Sequence, residues 1–279
     1  MVKTILVPVV GTAVETPAFS AAVSLARMFT GHLDFLYSRP EPVTAGSVYG
    51  GAFIPGMLEE LRNAADRQHT AVRQAYLDAC AREHIPTDIV GAATGQVTAR
   101  WHRETGRVVE CVADYGHTSD LIVVERGGDI LTAQALEGAL FESGRPVLVP
   151  GSRQLSLETI AIAWKPTREA ARAVSATLPL LPYAKRVVFI SVSEDGAVES
   201  KDAERLETTL KRHHPGVETL FLKAGAADVS ETLLLHAYRS GAGLLVMGAY
   251  SRTRLRELIF GGVTENVLGD CELPVLMAH

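Results

Sequence analysis

Long apolar runs, paired cysteines and an excess of either charge are all missing from this chain of 279 residues. Each absence removes a class of protein. No apolar stretch reaches the roughly 20 residues that a membrane-crossing helix needs. Thr4–Val10 imitates the apolar core of a secretion signal, but Pro8 interrupts it and it runs into Gly11-Thr12 without a cleavage pattern. It reads as a first β-strand. The three cysteines, Cys80, Cys111 and Cys271, are far apart and form no C-x-x-C pair. That excludes a disulfide framework and a zinc site, and it predicts small core residues, a reducing cytoplasmic setting and no bound metal. The nine histidines are scattered; His213-His214, before Pro215-Gly216, are expected to face solvent at a helix C-terminus. A net charge of −5 and a pI near 6.0 give no electrostatic reason to expect nucleic acid or a membrane as partner.

What is present is an ordinary globular composition, 47% hydrophobic and 21% charged. The length suits two domains of about 140 residues, each able to bury a core. Internal similarity gives the same answer. Ile5–Val10 is an apolar strand followed by a helical run, Thr16–Phe29; Ile160–Trp164 leads through Lys165-Pro166-Thr167 into Arg168–Leu180. Second strands are predicted at Leu33–Tyr37 and Val187–Val192, and long amphipathic helices at Met57–Glu83 and Lys201–His213. Third strands follow at Val97–His102 and Val217–Leu222, then helices at Val108–Tyr115 and Val229–Ser240. Asp120–Val124 and Gly243–Met247 match as buried fourth strands, and each half closes on Pro-Val-Leu, at Pro146–Val149 and Pro274–Met277. Alternating strands and helices with near-continuous apolar strands predict an α/β fold: two tandem, doubly wound parallel-sheet domains, 1–150 and 156–279. The polar stretch Pro150–Gln154 is the expected linker between them.

Ligands in such sheets sit beyond the carboxyl ends of the strands, where the strand order reverses. The fourth strand of the second half ends there in Met247-Gly248, and Ser251 is followed by nine residues and then Gly261-Gly262-Val263-Thr264. A strand running into small residues and a glycine pair that opens a helix suits an anion: the first amides of the helix are unpaired, and glycine lets a phosphate approach them. In the first half, Gly127-Gly128 is read as a turn before it is read as a cradle, and the Pro/Gly-rich insertion Arg39–Pro55 as either a flap over a groove or a plain loop. Trp164 either fills core or stacks on a base, and Thr167 is expected to cap the helix that starts near Arg168.

The pattern Gly248-x-x-Ser251, nine residues, Gly261-Gly262-Val263-Thr264 resembles the nucleotide fingerprint of the universal stress protein family, and the duplicated layout resembles its tandem bacterial members. The resemblance covers the whole chain and is sharpest from Leu244 to Pro274. It implies an adenine nucleotide alpha-hydrolase-like fold and a cytoplasmic stress-response protein. It also implies a pseudo-dimer within one chain, paired through the closing strands and open to homodimerisation. ATP, with or without magnesium, is the implied cofactor and an unknown protein the implied partner; no catalytic residue is implied, although weak ATP hydrolysis stays open. Met247, Gly248, Ser251, Gly261, Gly262, Val263 and Thr264 would then hold the phosphate and ribose, with Ala163, Trp164, Lys165 and Val192 around the base. Two departures count against ATP: Lys165 stands where an aspartate is usual, and Gly262 where a serine is common. Losing both contacts weakens a micromolar site by about thirty-fold to a thousand-fold. Lys165 either restores affinity by facing a phosphate or extends into water. The alternative is a nucleotide-free interaction scaffold of the same fold.

Overall fold

The computed structural model describes residues 2–39, 57–88, 95–127, 129–193, 201–224, 228–249, 267–269 and 271–279. They divide into two compact units, Val2–Ser143 and Gly144–His279.

In the first unit, β1 (Thr4–Val9), β2 (His32–Arg39), β3 (Thr98–Thr105) and β4 (Leu121–Val123) form a parallel sheet in the order β3-β2-β1-β4. Its helices are α1 (Pro17–Phe29), α2 (Met57–Arg82), α3 (Val108–Gly116) and α4 (Ile130–Glu137), the last running into a π-helical turn, Gly138–Glu142. α1 starts where Thr16 accepts a hydrogen bond from the Phe19 amide and Pro17 opens the first turn. It ends at Thr30 in left-handed conformation (φ 50°), and the Lys3 ammonium donates to the freed carbonyls of Phe29 and Thr30. Buried Ala18, Ala21, Ala22 and Ala26 keep this helix close to the sheet. Ile5, Leu6, Leu33, Leu36 and Ile122 are sealed within the core. Asp120, expected inside the fourth strand, instead precedes it and accepts from the Lys3 and Thr4 amides at 2.7 and 2.9 Å. β3 runs past its expected end at His102 because all eight of its residues pair with β2.

The second unit repeats the strand order. β6 (Thr159–Trp164), β7 (Arg186–Ser193), β8 (Val217–Lys223), β9 (Leu244–Gly248) and β10 (Val275–Ala278) lie parallel in the order β8-β7-β6-β9-β10. β5 (Val147–Val149), the closing strand of the first half of the sequence, belongs to this unit and runs antiparallel to β10, with Leu148 opposite Leu276. Its helices are α5 (Arg168–Thr177), α6 (Lys201–His213) and α7 (Val229–Arg239). α5 stops three residues short of Leu180 because Pro179 has no N–H to continue the hydrogen-bond ladder, although Leu178 itself keeps helical backbone (φ −52°, ψ −40°); a 3-10 turn, Leu181–Tyr183, follows. The expected linker is tied down: a Cβ on Gly151 would stand 2.0 Å from the Glu272 carbonyl oxygen, so only glycine passes. Arg153 pairs with Glu272 at 2.9 Å and lies over the Tyr238 ring at 4.9 Å. His214 also departs from expectation, turning inward: its Nδ1 accepts from the Gly216 amide, so Nε2 carries the proton donated to the Ala184 carbonyl. His213 is exposed, as expected. Cys80 and Cys271 are buried and Cys111 half-buried, and none of the three is in a disulfide. Among the described residues no helix is long and apolar enough to cross a membrane.

One polar cluster sits within this apolar frame. Asp34 Oδ1 on β2 lies 2.6 Å from His102 Nε2 and 3.4 Å from His32 Nε2, and His32 Nδ1 meets Thr98 Oγ1 at 2.7 Å. Burial pushes the Asp34 carboxyl up, but hydrogen bonds from His102 and His32, and their charge, outweigh it and hold it well below the usual carboxylate range. A lowered folded-state value stabilises the fold above the unfolded carboxyl value near 4, and the benefit is lost as pH falls through the folded value. Asp34→Asn is expected to reduce unfolding free energy by about 1.5–3 kcal/mol at neutral pH. Urea unfolding of parent and variant should show that gap narrowing below pH of about 4; a constant gap would contradict the assignment.

Candidate functional site

The order β8-β7-β6-β9-β10 reverses between β6 and β9, so the second unit has its crevice beyond the carboxyl ends of those two strands. Ile162 on β6 pairs with Val246 on β9. Trp164 and Gly248, each two residues further on, therefore close adjacent strands at the crevice. Ala163 and Trp164 are half-buried, and Lys165 is exposed. Val192, half-buried on β7, follows Ser191, which pairs with Trp164. Met247 is 5% exposed, which leaves its main chain rather than its side chain at the rim. Ser251, Gly261, Gly262, Val263 and Thr264 lie outside the described residues, as do residues 40–55 of the insertion and Gly128. The structure thus brings six of the eleven expected residues to one end of the sheet.

Gly248 has a packing reason to be glycine. A Cβ there would stand 2.6 Å from the Ala170 nitrogen and 2.8 Å from the Glu169 carbonyl carbon, because the start of α5 presses against the end of β9. The close approach positions α5, and its first turn is already supplied with acceptors. Thr167 caps it as expected, with Oγ1 3.2 Å from the Ala170 amide and its carbonyl accepting from Ala171 at 3.0 Å. The Glu169 carboxyl is held below its ordinary range, first by its own backbone N–H and further by Thr167 and Arg168. An anion at this helix start would have to displace Glu169.

Trp164 is different. Its indole Nε1 is buried and has no hydrogen-bond partner among the described residues. Its ring centroid lies 6.2 Å from that of Phe189, tilted by 37°. A buried donor without an acceptor costs about 1–3 kcal/mol, so an acceptor arriving at this position is rewarded. Sequence reasoning weighed Trp164 as core or stacking platform and missed the unsatisfied donor, because only packing decides whether an indole N–H finds a partner.

In the first unit, amides following β1 and β4 are met by the protein's own carboxylates. Glu125, just beyond β4, accepts from the Ala18 amide in the first turn of α1 at 3.0 Å and from the Arg126 amide at 3.1 Å. Asp129 caps α4 through the amides of Leu131 and Thr132, with the Thr132 hydroxyl also donating to it. Bonds to Thr132 hold the Asp129 carboxyl below its ordinary value. Both helix starts thus carry an internal carboxylate where a phosphate would need to sit. Among the described residues no group of histidine, cysteine and carboxylate side chains could hold a metal ion.

A parallel α/β unit with its crevice at a reversal of strand order is the class of protein defined by this geometry. Residues 160–279 match the family model of the universal stress protein family. Universal stress protein Slr1230 of Synechocystis sp. is 23% identical over 98% of this chain and 99% of its own length. Stress response protein NhaX of Bacillus subtilis is 38% identical over 50 residues, 18% of this chain and 30% of that protein. The crystal structure of a universal stress protein from Archaeoglobus fulgidus superposes with a TM-score of 0.66 at 16% identity, covering 99% of this chain and 95% of the other. The second half of the chain, residues 160–279, thus carries a universal stress protein domain, and over its whole length the chain has the fold of universal stress proteins.

Substitution at Gly248 tests the packing. Gly248→Ala is expected to destabilise by about 1–3 kcal/mol, since the start of α5 must move to admit the methyl group. Gly269→Ala, where nothing among the described residues lies within 4 Å of the added carbon, should be close to neutral. Thermal unfolding of the two variants checks the contrast, and equal midpoints would refute it.

Proposed function

We propose that the second unit holds an adenine nucleotide at the crevice between β6 and β9, and that the protein works as a stress-responsive nucleotide-binding protein rather than an enzyme. The observation that carries this reading is the buried Trp164 N–H at the strand end, which has no acceptor among the described residues. A nucleobase supplies what is missing, since ring nitrogens and carbonyls accept hydrogen bonds and its flat face suits the neighbouring aromatic rings. The spacing from Gly248 through Ser251 to Gly261-Gly262-Val263-Thr264 supports a phosphate group on the same side. ATP is the nucleotide favoured by that spacing, with magnesium as a companion of its phosphates. Glu125 and Asp129 favour a single site per chain, because the first unit meets its helix-start amides from within. No aspartate or glutamate lies in Gly248–Ser251, which argues against phosphoryl chemistry driven by a carboxylate-held metal.

A second reading is a nucleotide-free scaffold that works through a protein partner. Lys165 at the end of β6, in place of an acceptor for the base or ribose, favours it.

Native mass spectrometry and calorimetric titration with ATP and ADP separate the two. The nucleotide reading expects one nucleotide per chain, and affinity reduced by about three-fold to ten-fold in Trp164→Phe, which removes the donor and keeps an aromatic ring. Weaker binding in Lys165→Ala would assign that ammonium to the phosphates, and unchanged binding would remove it from them. Protein that neither retains nucleotide nor binds it at millimolar concentration would overturn the reading and leave the scaffold.

A further inference from the structure

The first unit carries an aromatic assembly that the nucleotide reading does not use. On one face of β2 and β3, Tyr37 and Trp101 stack with ring centroids 6.0 Å apart, and Tyr76 of α2 meets Trp101 at 5.4 Å. Tyr76 also lies 5.0 Å from Phe35 and 5.9 Å from Phe19, so the group is continuous with the core. Tyr37 and Tyr76 are 3% and 4% exposed. His69, two helical turns before Tyr76 on α2, closes the assembly on its solvent side. Its ring lies 5.3 Å from Tyr37 and 5.9 Å from Trp101, and its Nε2 accepts the Trp101 indole N–H at 3.1 Å.

That bond has a single chemical requirement. Nε2 accepts only while it bears a lone pair, so the imidazole must be neutral with its proton on Nδ1. A second proton turns acceptor into donor, and the indole N–H and the imidazolium N–H then point at one another. The surrounding charges make the change worse. Arg103 of β3 and Arg73 of α2 face the ring with positive charge, although each is engaged elsewhere: Arg103 with Asp66 of α2, and Arg73 with Asp88 at 3.4 Å. Arg39, at the end of β2, places its guanidinium 5.5 Å from the centre of the Tyr37 ring. Asp66 is the charged group that favours the imidazolium.

We propose that His69 is a pH-sensitive latch, seating α2 on the Tyr37–Trp101 face of the first unit at neutral pH and releasing it in mild acid. Burial first, then Arg103 and Arg73, lowers the imidazole's affinity for a proton, and Asp66 opposes them less strongly. The sign follows: a lowered folded-state value contributes stability above the unfolded histidine value near 6.5 and loses it as pH falls through the folded value. The latch therefore opens below about pH 6.5, uncovering Trp101 and the aromatic face beneath α2. Its consequence is local, because Asp34, on β2, keeps its carboxylate to far lower pH.

The chain has two tryptophans, so Trp164→Phe leaves Trp101 as the sole indole reporter. In that background the emission of Trp101 should shift to longer wavelength between pH 8 and pH 5, with a midpoint below about 6.5. His69→Gln keeps an acceptor that does not titrate in this range and should abolish the shift. His69→Ala should show the released emission throughout. Hydrogen exchange on the unmodified chain gives an independent measure: α2 amides should lose protection over the same interval while β1 amides keep theirs. An unchanged pH profile in His69→Gln, or α2 protection that is constant from pH 8 to pH 5, would overturn the proposal.

Discussion

Amides at the start of a helix, crowded against the carboxyl ends of parallel strands, must find acceptors, and the choice of acceptor distinguishes the two units. In the first unit, Glu125 reaches the first turn of α1 and Asp129 that of α4. In the second, Thr167 and Glu169 serve α5, while the neighbouring Trp164 donor has no acceptor among the described residues. Among the described residues, the first unit thus meets its helix-start amides from within, and the second leaves the Trp164 donor without a partner. The energy involved, about 1–3 kcal/mol for a buried unsatisfied group, is small beside the burial of a whole core. It is nevertheless large enough to favour an acceptor placed beside that donor.

The sheets make this choice matter. Parallel strands need both faces covered, so helix starts and strand ends are forced to the same rim. Gly248 shows how tight that rim is, since the end of β9 and the first turn of α5 leave no room for a methyl group. Gly151 plays a similar part where the segment after β5 crosses the residues before β10. The antiparallel pairing of β5 with β10 covers an edge of β10 that would otherwise be exposed.

Much of the fold was legible in the sequence. Every expected strand and helix among the described residues is present, because apolar runs and 3.6-residue periodicity report burial directly. The differences occur where a single residue answers to a distant part of the chain or to a local backbone constraint. Asp120 leaves its strand to hold the Lys3 and Thr4 amides, Pro179 shortens α5, and Arg153 fastens what composition suggests is a free linker. At the candidate site, the strand ends at Trp164 and next to Met247 were legible from the apolar runs alone. The role of Glu125 was not legible. It lies 107 residues from the Ala18 amide it accepts from, and no local pattern announces such a bond.

The order of apolar and polar residues was enough to determine an α/β fold built from two similar halves of alternating strands and helices, since that follows from periodicity and from the geometry of parallel crossovers. Only the tertiary structure decided which donors at the sheet rims are satisfied, that His69 sits against the Trp101 indole, and that Asp34 lies between two imidazoles. Hydrogen bonding between residues distant in sequence depends on separations of a few tenths of an ångström, and these are fixed only when the whole core has packed.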